Sequence, residues 1–325
     1  MPTRTATDVV LLSLAEGSGS GDACGSGCGG CGSAATATCA PRTPVLACAD
    51  ALRAAGARVE TVMAGSDKEI DEVLARLDGP ARPDGLTWPD PDSKVRLVVA
   101  SATDGQLRAV MRRLVRRYAP PPSKRPADLP AARTVPDLPP IAILPLDAGN
   151  RDDLAAQLGL PRTPAEVAAA VLAGGVRRLD LLRNDGGSVT LDGALLGGTG
   201  DDGRAVPWRG RVEVDDAVLT DGEEPVLACA VGNGGGYAEF DGLRLLSEGD
   251  PTDGRVEVAV AVPVVVKKRF RADRTGIQVR RARGRAVSVL PRDGDLQFLD
   301  DGVAGSTSRK RSWWTEAGAW AVYSG

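Results

Sequence analysis

The chain has 325 residues, long enough for two domains with separate cores. Its 40 basic residues are nearly balanced by 43 acidic ones, which gives no support to a nucleic-acid binder. It contains no histidine, so any mechanism that needs an imidazole base or ligand is excluded.

Val9–Leu12 forms a first buried strand, and no stretch reaches the roughly 18 to 20 apolar residues of a membrane span. The apolar run is also too short for a signal-peptide core, so a cytoplasmic protein is expected. Val45, Leu46, Ala49, Leu52 and Ala55 lie near helical spacing between Pro44 and Ala57. Arg58–Met63 supplies the next strand. Ser66-Asp67-Lys68-Glu69 has the form of a capping box, with Ile70, Val73, Leu74 and Leu77 as the buried stripe behind it. Val95–Ala100 is a further strand, and a helix follows from Gly105 to about Tyr118. This alternation predicts a parallel sheet covered on both faces.

Ala119–Pro140 is rich in proline and is expected to be an extended, mobile excursion. The sheet resumes at Ile141. Thr163-Pro164-Ala165-Glu166 is a second capping box, with proline at its favoured first helical position, and starts a helix to about Ala173. Beyond Gly175 the pattern becomes short strands separated by Asp-Gly and Asn-Gly turns, which predicts an antiparallel sandwich. The expected division is 1–150, with a Cys/Gly-rich loop at 16–43 and the Pro-rich excursion at 119–140, and 151–325.

Two strand ends carry the chemistry. Val98–Ala100 runs into Ser101-Ala102-Thr103-Asp104-Gly105-Gln106, and Ile141–Leu144 runs into Pro145-Leu146-Asp147-Ala148-Gly149-Asn150. Corners of small residues let main-chain N–H groups approach a phosphate closely. Together they resemble the corners G-G-D-G-T and G-T-G-N-D of the diacylglycerol kinase catalytic-domain family, which includes bacterial lipid kinases and sphingosine kinase-like proteins. Ala102 and Thr103 stand where that family has glycines, and Asp147 replaces the first residue of the second corner. Asp152 or Asp153 takes the place of the acid that follows. Asn233-Gly234, Asp250-Pro251-Thr252-Asp253-Gly254 and Asp300-Asp301-Gly302-Val303 match further motifs in the family's order, with Val303 in place of a glutamate.

The resemblance implies an N-terminal doubly wound α/β domain of the NAD kinase/diacylglycerol kinase type, an antiparallel β-sandwich domain after it, and a site in the cleft between them. It also implies ATP-dependent phosphoryl transfer to a hydroxyl of a lipid or lipid-like acceptor. ATP and Mg2+ would be held by Ala102, Thr103, Asp104, Gly105, Gln106, Ala148, Gly149 and Asn150, with Asp301 taking the acceptor's proton. Asp180 matches a position of mainly structural role. On the helix after the first corner, Arg108 could reach a phosphate, while Arg112, Arg113, Arg116 and Arg117 are expected to face water.

Cys24, Cys28, Cys31 and Cys39 lie in a glycine-rich loop after the first strand, where the family has a phosphate loop, and Cys48 and Cys229 follow. Convergent thiolates would suit Zn2+ or an iron–sulfur cluster, Cys48 being a substitute for Cys39. Disulfides or an unliganded flexible loop remain open. The alternative function is accordingly a non-catalytic, kinase-like sensor. The basic run from Lys267 to Arg285 could rest peripherally on an anionic membrane surface or be a solvated, charge-balanced face.

Overall fold

A computed structural model describes residues 7–15, 42–200, 204–233, 239–240, 242–247, 249–266 and 274–325. The chain forms an α/β unit and a predominantly antiparallel β unit. The first contains residues 1–118, 138–177 and 321–325, and the second residues 119–137 and 178–320.

The first unit is built on β1 (Asp8–Leu14), β2 (Arg58–Ala64), β3 (Val95–Ser101) and β4 (Pro140–Pro145). All four run parallel in the order β2-β1-β3-β4, and Ala321 and Val322 pair in parallel with Pro140 and Ile141 beyond β4. Near-continuous apolar sequence in β1, β3 and β4 reflects burial on both faces. Helix α1 (Arg42–Ala54) places Cys48, Ala49 and Leu52 against Val9, Leu11 and Val98. Burying a side chain such as Leu52 fully contributes about 1.5–3 kcal/mol.

Helix α2 (Asp67–Leu74) is capped as its sequence predicts, by Ser66 Oγ accepting from Glu69 N–H. The Glu69 carboxylate accepts from Gly65 N–H rather than from the cap residue itself. Helix α3 (Asp104–Tyr118) turns Arg112, Arg113 and Arg117 toward α2 and its extension instead of toward water. Arg113 pairs with Asp67 and Asp71, Arg117 with Asp78, and Arg112 with Asp67, leaving Arg116 exposed. The acids sit on one helix and its extension, and α3 packs directly on that surface, so the charges meet across helices. A short α4 (Leu154–Gln157) and α5 (Pro164–Ala173) follow β4. At α5 the capping box is complete in both directions and Gly174 closes the helix at φ 75°, the left-handed conformation that glycine adopts without steric cost.

In the second unit, strand Arg274–Gly284 leads a six-stranded antiparallel sheet through Val256–Val266, Ala228–Gly232, Gly193–Leu196, Leu296–Asp300 and Val303–Thr307. A second set of strands includes Gly210–Val214, Ala217–Asp221, Ala286–Pro291 and the 311–320 part of the last strand. Leu196, Val212, Val231, Val260, Val289 and Trp313 lie in one apolar core between them. Trp313 and Trp320 are fully buried packing residues, as their places in the last strand suggest.

The Pro-rich excursion is packed rather than free. Val135 is fully buried and Leu129 nearly so. Prolines remove N–H donors and leave carbonyls without partners. Arg125 supplies the missing donors, reaching the carbonyl oxygens of Leu129, Pro130 and Arg133. The excursion ends at a buried carboxylate: Glu316 accepts from the N–H and hydroxyl of Thr134 and from Trp314 Nε1.

Candidate functional site: two adjoining strand-end corners

Both corners lie in the first unit, after adjacent parallel strands. Beyond β1 the sheet order reverses, with β2 on one side and β3 on the other, and ligands of open parallel sheets bind at the carboxyl ends of strands around such a point. Leu146 N–H donates to the Ser101 carbonyl at 2.9 Å, which ties the end of β4 to the end of β3.

At the first corner Ala102 and Thr103 are exposed, and Gly105 is buried in the first turn of α3. The Ala102 N–H donates to Gln106 Oε1 at 2.9 Å, and the Gln106 N–H to Thr103 Oγ1 at 3.3 Å. The Asp104 carboxylate reaches fifty residues along the chain: both of its oxygens lie 3.2 Å from the Leu154 N–H. That bond brings the two corners together.

At the second corner Asp147, Ala148, Gly149 and Asn150 are all exposed. Asp147 Oδ1 accepts from Gly149 N–H at 2.9 Å and Asn150 Oδ1 from Asp152 N–H at 3.0 Å. Asp153 is the N-cap of α4, accepting from Ala156 N–H at 2.9 Å. Arg162 then closes the loop. Its guanidinium pairs with Asp153 and donates to the carbonyl oxygens of Asn150, Ala148 and Asp147. The Asp153 hydrogen bond is the chief reason its pKa is raised, with Asp147 and Asp104 adding to it. Sequence inspection missed Arg162. The available signal was a lone arginine between Pro161 and the Thr163 cap, and nothing local shows that it folds back twelve residues.

Arg108 is almost fully buried in α3. Asp301 lies in the second unit, in the two-residue turn between Leu296–Asp300 and Val303–Thr307, where Asp301 and Gly302 both have positive φ (48° and 78°). This is the backbone of an Asp-Gly hairpin turn. The Asp301 carboxylate is fully buried and accepts N–H bonds from Leu191 (2.7 Å), Asp192 (3.0 Å) and Gly193 (3.2 Å). Asp180, also buried, accepts from Gly254 and Gly318 N–H groups at 2.6 and 2.7 Å, and burial pushes its pKa up. That geometry agrees with the structural role expected of it.

Glu257, three residues beyond the Asp250–Gly254 segment, is nearly buried, bonded to Ser247 and paired with Arg283. Within the described part of the basic run, Arg280 pairs with Glu224 and Arg283 with Glu257. Lys267–Arg271 lies outside the described residues, as do Gly234–Tyr237.

Cys24, Cys28, Cys31 and Cys39 also lie outside the described residues. Among the described residues no group of His, Cys, Asp or Glu is arranged to hold a metal. Cys48, the expected substitute for Cys39, is a fully buried core residue of α1, and burial pushes its thiol up to about 11. Cys229 is buried in the second unit and pushed up to about 12. Among the described residues no helix is long and apolar enough to cross a membrane.

Residues 42–184 match the family model of the diacylglycerol kinase catalytic domain. No curated protein matches the chain. The fold is similar to that of a diacylglycerol kinase from Bacillus anthracis str. Sterne, with a TM-score of 0.59 at 15% identity over 98% of this chain and 97% of that one. A second, provisionally assigned diacylglycerol kinase of the same strain gives 0.60 at 13% identity, over 98% and 97%.

Proposed function

We propose, from the match of residues 42–184 to the diacylglycerol kinase catalytic-domain family model, that the chain is an ATP-dependent phosphotransferase acting on a hydroxyl of a lipid or lipid-like acceptor. The observation that carries the reading is the Asp104–Leu154 bond, which joins two exposed, small-residue corners at the carboxyl ends of neighbouring parallel strands. Ala102, Ala148 and Gly149 are short and exposed, so a polyphosphate could reach the main chain there once the amides exchange their side-chain partners for it. Thr103 to Gln106 and Ala148 to Asn150 would hold the phosphates, and Asp104 would help hold magnesium. Bound Mg-ATP would supply the phosphoryl group and neutralise its charge.

Asp301 is proposed as a positioning residue in addition to its expected place as the base. Its two oxygens fix the main chain at Leu191–Gly193, which keeps that turn in one conformation. The second reading, a non-catalytic kinase-like protein with a metal- or cluster-binding cysteine loop, is favoured by one observation. The amides at Ala102, Gly149, Asp152 and Leu154 are already bonded to side chains.

The test is label transfer from γ-labelled ATP, with magnesium, to diacylglycerol in mixed vesicles. The expected result is a labelled lipid product, lost about 10²-fold or more in Asp104→Ala. Nucleotide binding without transfer to any hydroxyl acceptor would leave the second reading.

A further inference from the structure

We propose that the second corner is closed by its own acids, so that a nucleotide phosphate binds there only by displacing the Asp147 carboxylate. The proposal rests on the nucleotide reading above. A phosphate at a strand-end corner takes its hydrogen bonds from main-chain N–H groups. Here the N–H groups of Gly149, Leu154 and Ala156 donate to the carboxylates of Asp147, Asp104 and Asp153. That of Asp152 donates to the Asn150 side chain. An incoming phosphate therefore meets occupied donors and like charge together.

Arg162 holds this arrangement in place. Its guanidinium is turned onto Asp153 and three carbonyl oxygens of the loop, so its charge neutralises the chain's own groups rather than facing outward. Its main chain is anchored at the start of α5, where Glu166 accepts from the Arg162 and Thr163 N–H groups. The clamp therefore sits on a fixed helix end.

Of the three acids, Asp147 can be removed at least cost to the fold. It is exposed and holds a single N–H two residues away, whereas Asp153 caps a helix and Asp104 joins the two corners. Asp147→Ala frees the Gly149 N–H and removes the charge. Asp147→Asn removes the charge and keeps the acceptor.

The experiment is calorimetric titration of the full chain and both variants with Mg-ATP, with melting temperatures as a control on folding. Asp147→Ala is expected to lower Kd at least about tenfold, a change of about 1.4 kcal/mol, with Asp147→Asn in between. Equal or weaker binding by Asp147→Ala than by the unaltered protein would overturn the proposal while the nucleotide reading stands. No binding by any of the three, with melting temperatures unchanged, would overturn both.

Discussion

Asp301→Ala is expected to lower unfolding stability by about 3 kcal/mol or more, measured as a fall in the urea midpoint. The carboxylate takes three N–H bonds where no water reaches, and each donor left buried and unpaired costs about 1–3 kcal/mol. Asp301→Gly separates two contributions, because glycine keeps the left-handed backbone that the turn needs at φ 48° and loses only the carboxylate. Its midpoint should fall nearly as far. If both variants melt like the unaltered chain, Asp301 holds nothing in place and its positioning role is wrong. Asp301→Asn keeps one acceptor oxygen but turns an amide N–H2 toward donors, so any loss of transfer in it has to be read beside its loss of stability.

Glu316→Ala should be comparably severe, at about 3–5 kcal/mol, because it removes one partner from a buried ion pair. Glu316 is fully buried, 3.8 Å from Arg183, whose pKa is lowered by burial and held up by Glu316. The guanidinium also lies over the Trp314 ring, 5.5 Å from its centroid. Without the carboxylate, the Arg183 charge and the donors of Thr134 and Trp314 lose their acceptor together. Since Thr134 is the excursion's anchor, limited proteolysis should cut between Ala119 and Asp137 much faster in the variant. Unchanged cleavage would show that the apolar contacts of Leu129 and Val135 suffice.

The elements of the first unit were legible because their signals are local. Apolar runs mark β1, β3 and β4, and Ser66 and Thr163 cap helices that begin where their sequences place them. The Asp-Gly turns of the second half were legible for the same reason, and Asp301-Gly302 is one of them. What could not be read are partners distant in sequence. Glu316 meets Thr134 across 182 positions, and Arg113 meets Asp71 across 42. Proline content suggested a free excursion, but composition says nothing of the arginine that satisfies its carbonyls. At the corners the residue types were legible, and Asp147 was visible as an acid where the family has glycine. The direction of each carboxylate, and the fold-back of Arg162 onto the loop, follow only from the three-dimensional arrangement.

The central claim is that the two adjoining corners receive the phosphates of a nucleotide. Hydrogen–deuterium exchange of the full chain, with and without millimolar Mg-ATP, tests it most directly because it locates binding along the backbone. The account predicts slowed exchange in peptides covering 102–106 and 147–156, on both sides of the Asp104–Leu154 bond. Unchanged exchange at both corners, whether or not other peptides respond, would contradict it.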